Sequence, residues 1–285
     1  MPDPLFIERT KQKAKAAGLD WRSLRTRTLL HLPRVAAADG ALSWEEVDTE
    51  LDRRADELHA DETRVRGLIP TDGFAEAKNL VFVENYGPSE ANDIFANLHY
   101  LKNARKDSKN FALLDPVHGR PVSVCSISPL QWKPVAKQLL RRFGILPENV
   151  WDVSRMYSFG VAPRNATSFL LAKVRRAMST DEPTAKLLTT AVDPNVGFNG
   201  ISYKGANWKE WMRISPRPYL YLDGNYVSPR QLRERFGTAN LAQIAVEFGI
   251  EVTPSAVRLQ PSSIFCCRID GATEAVTEEL VPLRR

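Results

Sequence analysis

One carboxylate, Asp193, ends an apolar, β-branched-rich run at 185–192. Gly197 and Gly200 follow it, and Tyr203, Lys204, Asn207 and Trp208 come close behind. An acid carried to the C-terminal edge of a strand beside a flexible turn is how open α/β sheets build sites. The same residues also describe a plain turn followed by a short helix-like segment with a core Trp. Of the four histidines, His31, His59 and His118 fall in a helical arm or a turn. That leaves His99, followed by Tyr100, as the side chain able to move a proton near neutral pH, since a free imidazole titrates at about 6.5. Acyl transfer to an amine needs such a proton acceptor, together with donors facing the developing oxyanion. The chain has neither Cys-x-x-Cys nor His-x-x-x-His, so a closed zinc site is not expected. One His, one carboxylate and a Tyr could hold iron(II) or another divalent metal at an open site.

These residues need elements to hold them. Residues 1–66 read as a helical N-terminal region, with Ser43-Trp44-Glu45-Glu46 as a capping box and Val47, Leu51, Ala55 and Leu58 as one apolar stripe. This region could pack on the rest of the chain, bind DNA or mediate oligomer assembly. A turn-rich linker covers 67–78. From 79 to 237 strands and helices alternate: a strand at 80–86, a helix at 89–103 ending in His99-Tyr100, a hairpin at 111–114 and 122–127, and a helix at 134–142. A strand at 150–158, a helix at 165–178, the strand to 192 and the helix-like 200–212 segment follow. A strand at 219–222 and a helix at 229–236 complete it. Residues 238–285 form a C-terminal extension with a helix at 241–248 and a β-like stretch at 264–269.

The fold class is therefore α/β (α+β), a mixed central sheet with flanking helices. The strand–helix–hairpin–strand–helix–strand order is that of GNAT acyltransferases. In that fold the helix after the fourth strand turns its N-terminal amides and dipole to the pyrophosphate of coenzyme A. The matching segment, 158–168, offers Gly160 and Asn165 for exposed amides, Ser168 for a hydroxyl and Arg155 or Arg164 for charge.

Composition sets bounds. At 285 residues and 43% hydrophobic the chain can bury a full core. Without an apolar run of ~18 residues or a signal-like N-terminus, it is expected in the cytoplasm, as are three cysteines with no disulfide framework. The net charge of +5 is uneven: residues 1–38 and 79–214 are basic, while 39–78 are acidic. A polyanion or a phosphorylated cofactor would be drawn to the basic stretches. Lys102, Arg105, Lys106, Lys109, Lys204 and Lys209 could line a phosphate track.

Four segments in order, His99-Tyr100, Ser154-Arg155-Met156-Tyr157, Asn165 with Ser168, and 193–208, resemble the Mom family of phage DNA-modification proteins. These are GNAT-like enzymes that alter adenine so that restriction enzymes no longer cut. The resemblance spans about 80–225 and implies His99 and Asp193 as the catalytic or metal-holding pair, iron(II) or another divalent ion being the metal, with Tyr100 catalytic beside them. It implies Arg155 and Ser168 as contacts to an acyl-CoA or related acyl donor, and Tyr203, Asn207 and Trp208 as the base pocket. It also implies DNA as the partner and the host cytoplasm as the compartment. Two positions depart from the family: Thr-Ala-Val-Asp precedes the acid where Tyr-Ala-Asp is usual, and Gly197-Phe198 stands where Gly-His is usual. The alternatives are acyl transfer to a protein, a small amine or a tRNA-borne group, and a non-catalytic nucleic-acid-binding protein. A base inside a duplex is out of reach, so it must be flipped and stacked on an aromatic; Phe198, Tyr203, Trp208 and Trp211 are the candidates, with Trp211 favouring the core.

Overall fold

The computed structural model describes residues 3–105, 107–269 and 281–283. In chain order the helices are α1 (Pro4–Ala17), α2 (Trp21–Val35), α3 (Trp44–Arg64), α4 (Pro88–Asn97), α5 (Lys133–Phe143), α6 (Ala166–Asp181), α7 (Ile201–Gly205), α8 (Pro229–Phe236) and α9 (Leu241–Phe248). The strands are β1 (Val81–Glu84), β2 (Lys109–Leu114), β3 (Pro121–Pro129), β4 (Val150–Ser158), β5 (Leu187–Val192) and β6 (Lys209–Ile214). They continue with β7 (Leu220–Leu222), β8 (Asn225–Val227), β9 (Thr253–Pro254), β10 (Ser262–Arg268) and β11 (Val281–Leu283). The chain divides into two compact units, one of 1–60, 195–197 and 216–260, the other of 61–194, 198–215 and 261–285. This division cuts across the sequence-based boundaries at 66 and 237, because helices α8 and α9 cluster with the N-terminal helices and β10 with the larger unit.

In the first unit, local signals place the helices. The Asp3 carboxylate accepts from Leu5 N, Pro4 sits in the first turn, and Gly18 ends α1 in the left-handed conformation. Asp20 caps α2. The capping box at α3 forms, with Ser43 N donating to Glu46 Oε2 (2.8 Å) and Glu46 N donating to Ser43 Oγ (3.2 Å). Its stripe is buried at Val47, Leu51, Ala55 and Leu58, each leucine contributing roughly 1.5–3 kcal/mol. Arg9–Asp48 and Lys13–Asp52 pair α1 with α3. Strands β8-β7-β9 form a small antiparallel sheet.

The larger unit is one mixed sheet of order β1-β2-β3-β4-β5-β10-β6-β11. Its β4–β5 and β6–β11 pairs are parallel and the others antiparallel. The β2–β3 hairpin and β4 lie where the sequence placed them, and the order β1-α4-β2-β3-α5-β4-α6-β5 follows the expected one, with α5 between the hairpin and β4. Strand period two splits neighbours between two cores. Leu188 joins Leu170, Leu171 and Val174 of α6, whereas Leu187 joins Val135 and Leu139 of α5.

Three expectations are corrected. Helix α4 begins at Pro88 behind Gly87 rather than at a Ser89 cap, and ends at Asn97, so His99-Tyr100 lie in the turn beyond it. The 200–212 segment is not one helix: Asn207 takes a left-handed φ of 63° that stops α7, and the chain continues as β6, placing Trp211 on a strand. The stretch at 264–269 is no peripheral tail, because β10 sits between β5 and β6.

His31 links α2 to the small sheet. Its Nδ1 donates to Arg27 O (2.8 Å), and its Nε2 accepts from Tyr226 N (3.2 Å) and faces Arg54 Nη1 (3.2 Å). Burial, then the Arg54 charge, push the imidazole down to about 4. The fold therefore holds the neutral ring, while the unfolded chain takes up a proton near the ordinary 6.5. Stability is fully present above pH 6.5 and is lost as pH falls toward 4, by on the order of 3 kcal/mol. Urea unfolding of the wild type should show this decline between pH 6.5 and 4, and His31→Gln should flatten it; an unchanged slope in the variant would reject the assignment.

Candidate functional site

The site begins where two parallel strands part. Val150–Asp152 pair with Leu187–Thr189, and the ladder ends there although β4 runs on to Ser158 and β5 to Val192. Thr190 Oγ1 donates to Val153 O (3.1 Å), the first carbonyl past the split, and lies 3.4 Å from the Tyr203 hydroxyl. On the other side of β4 the register to β3 shifts, with Arg155 opposite Ser126 and Val153 opposite Ile127. The extra residue, Ser154, donates its hydroxyl to Ser126 O (3.1 Å).

Asp152 occupies the last paired register and accepts from Thr189 Oγ1 (3.2 Å). Loss of solvent raises its carboxyl to about 6, against the pull of the Thr189 hydroxyl and the guanidinium groups of Arg105 and Arg155. Sequence reading missed this residue. Its signal was an acid between apolar residues inside a strand, Trp151-Asp152-Val153.

Two arginines strap the 98–105 segment to the sheet. Arg155 Nε donates to Asn103 O (2.7 Å) and Nη1 to Ser154 O (2.5 Å). Arg105 Nε donates to Ser128 Oγ (3.2 Å) and Nη2 to Gln131 Oε1 (3.0 Å). Arg155, read as a cofactor contact, binds the backbone carbonyls of Asn103 and Ser154. His99 is buried against Phe95 and Tyr100. Its Nδ1 accepts from Leu101 N (3.2 Å), which assigns the proton of the neutral ring to Nε2. So disposed, the ring donates rather than accepts. Tyr100 meets Phe198 edge to face, centroids 5.4 Å apart. Phe198 therefore joins the His99-Tyr100 turn to the segment after Asp193, and Asp193 itself is half-buried just past β5.

The remaining expected residues divide by burial. Tyr203 packs on Trp208 and Phe265 (5.4 and 5.8 Å), and burial pushes its hydroxyl above its ordinary range. Trp208 is only 2% exposed and belongs to the α6 core, so it offers no free face for stacking a base. Trp211 lies in the α5 core. Asn207 serves the turn, and Lys204 is exposed.

At the start of α6 no side chain of Asn165 caps the helix and no acid lies in its first turn. Gly160 and Asn165 are exposed there, and Ser168 Oγ turns inward to Asn165 O (3.0 Å). A hydroxyl chain, Ser123–Ser158–Thr167 (2.7 and 3.0 Å), ties this turn to the sheet. The phosphate track is corrected. Lys102 pairs with Asp61 (2.6 Å), Lys109 with Glu182 (2.6 Å), and Arg105 is committed as above. Lys204 and Lys209 are exposed, and Lys106 lies outside the described residues.

Nothing in the structure supports a metal at His99 and Asp193: among the described residues no third His, Cys, Asp or Glu groups with them.

The Mom protein family model matches residues 81–258, spanning β1 through β9 and all the segments above. The chain belongs to the Mom protein family. No curated protein matches it. Among solved structures this Mom-family protein is similar to NAA60 of Arabidopsis thaliana in complex with acetyl-CoA, at 12% identity over 67% of this chain and 99% of that one, TM-score 0.41. It is also similar to a protein of Desulfovibrio desulfuricans assigned as a GNAT-family acetyltransferase, at 12% identity over 85% and 92%, TM-score 0.28.

Gly200 shows how tightly the Asp193–Trp208 segment is built. Its φ is 73°, and an added Cβ would lie 2.4 Å from Phe265 Cζ. Phe265 is a core ring, so Gly200→Ala is expected to destabilise by roughly 2–4 kcal/mol through left-handed strain and overpacking. Chemical denaturation checks this; a change under about 0.5 kcal/mol would rule out the close approach.

Proposed function

We propose that this Mom-family protein transfers a group from an acyl-CoA-type donor to an adenine of DNA, protecting phage DNA from restriction in the host cell. The observation that carries the reading is the coincidence of the family match with the parted β4–β5 edge. The uncapped α6 N-terminus stands at the carboxyl end of the same β4.

The donor fits residues that are present. Gly160, Asn165 and the first amides of α6 would hold its phosphates, because a helix start with neither cap nor acid leaves N–H groups and dipole for an anion. The opened edges of β4 and β5 offer backbone groups to an extended amide chain. When bound, the donor supplies an activated carbonyl. His99, with its proton on Nε2, donates toward the developing oxyanion. Asp152, near 6 and therefore largely ionised at neutral pH, accepts a proton from the attacking amine. As the new C–N bond forms, the carbonyl–sulfur bond of the donor would break and the departing thiolate would take up that proton. Asp193 orients that amine. Tyr203 and Thr190 keep water from the split. The target base leaves the duplex and stacks on Phe198, which is 39% exposed and braced by Tyr100; Lys204 and Lys209 meet the flanking phosphates.

Nucleoside mass spectrometry of DNA from cells producing the protein should reveal an adenine of added mass. Unmodified DNA despite soluble protein would overturn the reading, and acylation of a protein, small amine or tRNA instead would favour a different acceptor. Asp193→Ala and His99→Ala should each lower modification by ~100-fold or more while leaving DNA binding intact. Wild-type activity should rise with pH through about 6 as Asp152 ionises. Asp152→Asn should lose about 10²–10⁴-fold and that rising limb; a variant that keeps both would remove Asp152 from the chemistry.

A further inference from the structure

The β2–β3 turn carries a second group of convergent donors, none of which has a role in the site above. Asp115 follows β2 and opens a tight turn: its N–H donates to Arg120 O (2.8 Å), and its carbonyl accepts from Gly119 N (2.9 Å). Gly119 takes a φ of 67°, the left-handed geometry that closes the turn and swings His118 back toward Asp115. Asp72, from the preceding 67–78 segment, completes the group. One ligand atom from each of Asp72, Asp115 and His118 lies within 4.8 Å of the others.

Asp115 points to what belongs between them. The residue is 2% exposed, yet its carboxylate has one described donor, Val117 N to Oδ1 (2.7 Å), and pairs with no Lys or Arg among the described residues. Arg120, the nearest cation along the chain, sends Nη1 to Ile69 O instead (3.0 Å). Within the group His118 pairs with Asp72, and the buried Asp115 carboxylate lies within ligand reach of both. The distances suit a metal. His118 Nε2 and Asp72 Oδ2 stand 3.4 Å apart. Bonds of 2.0–2.1 Å at the tetrahedral angle place two ligand atoms about 3.4 Å apart. An imidazole beside two carboxylates favours a first-row transition ion over magnesium or calcium, which take oxygen donors.

We propose that Asp72, Asp115 and His118 bind one divalent first-row transition ion, with water in the remaining position, and that this ion staples the 67–78 segment to the β2–β3 turn. Both pieces belong to the larger unit, and Arg120–Ile69 already ties them by one hydrogen bond. The site is separate from the catalytic reading and stands whether or not that reading holds.

The test is a titration of chelator-treated full-length protein with Co²⁺, followed by its visible d–d absorption and by calorimetry. One equivalent should bind and be displaced by Zn²⁺. Zinc at ~100 times its Kd should raise Tm by about 5 °C. His118→Ala and Asp72→Asn alter side chains that are 52% and 61% exposed, so both should fold. Each should weaken Co²⁺ binding by at least about 10-fold and abolish the Tm rise. His99→Ala should leave Co²⁺ binding unchanged. Absence of stoichiometric uptake at ~100 μM Co²⁺, or uptake that both turn variants leave untouched, would overturn the site and reduce the cluster to a surface His118–Asp72 ion pair, worth little.

Discussion

Everything about the candidate site depends on three backbone pairings. Parallel strands β4 and β5 hold each other from Val150–Leu187 to Asp152–Thr189 and then separate. Backbone N–H and C=O groups inside a protein must find partners, so a sheet that opens in its middle creates a demand that side chains or a ligand have to meet. The first carbonyl past the split, Val153 O, is met by the Thr190 hydroxyl. Three more pairings would close the gap between β4 and β5; opening it earlier would expose the leucines of both cores. The split is stable where it is because Leu187 and Leu188 anchor one helix on each face.

The same opening sets the electrostatics. Asp152 stands at the last closed register, where solvent is thin, and is flanked by Arg105 and Arg155. Those arginines are spent holding the His99-Tyr100 turn, one on the Asn103 carbonyl and one on Ser128 and Gln131. Their charge nevertheless reaches Asp152, so they strap the turn and tune the acid at once. Phe198 takes part from the far side by packing on Tyr100. Phe198 thus serves as an aromatic brace between the His99-Tyr100 turn and the segment after Asp193.

Much of this was legible in the sequence, and the parts that were not share a cause. Gly18, Asp20, and Ser43 with Glu46 are local capping signals, and they mark helix ends as the structure has them. β4 and the β2–β3 hairpin followed from alternation and a turn. Helix α4 was read too long because Ile94, Leu98 and Leu101 continue its apolar spacing, while the backbone turns off at Leu98. Trp208 was read as a stacking surface because its neighbours are polar and flexible; its burial under α6 is a long-range fact.

The sequence by itself determined the periodicities, the caps, the glycines that need left-handed backbone, and the order of segments that marks the family. Such features act over a few residues, so a linear reading contains their physics. Only the tertiary structure decided that β10 enters the sheet between β5 and β6, that α8 and α9 group with the first helices, and that β4 and β5 part after Asp152. It also decided that Asp115, Asp72 and His118 converge. Each depends on which distant strand or turn supplies the neighbour, and that choice is made by the packing of the whole unit rather than by any residue alone.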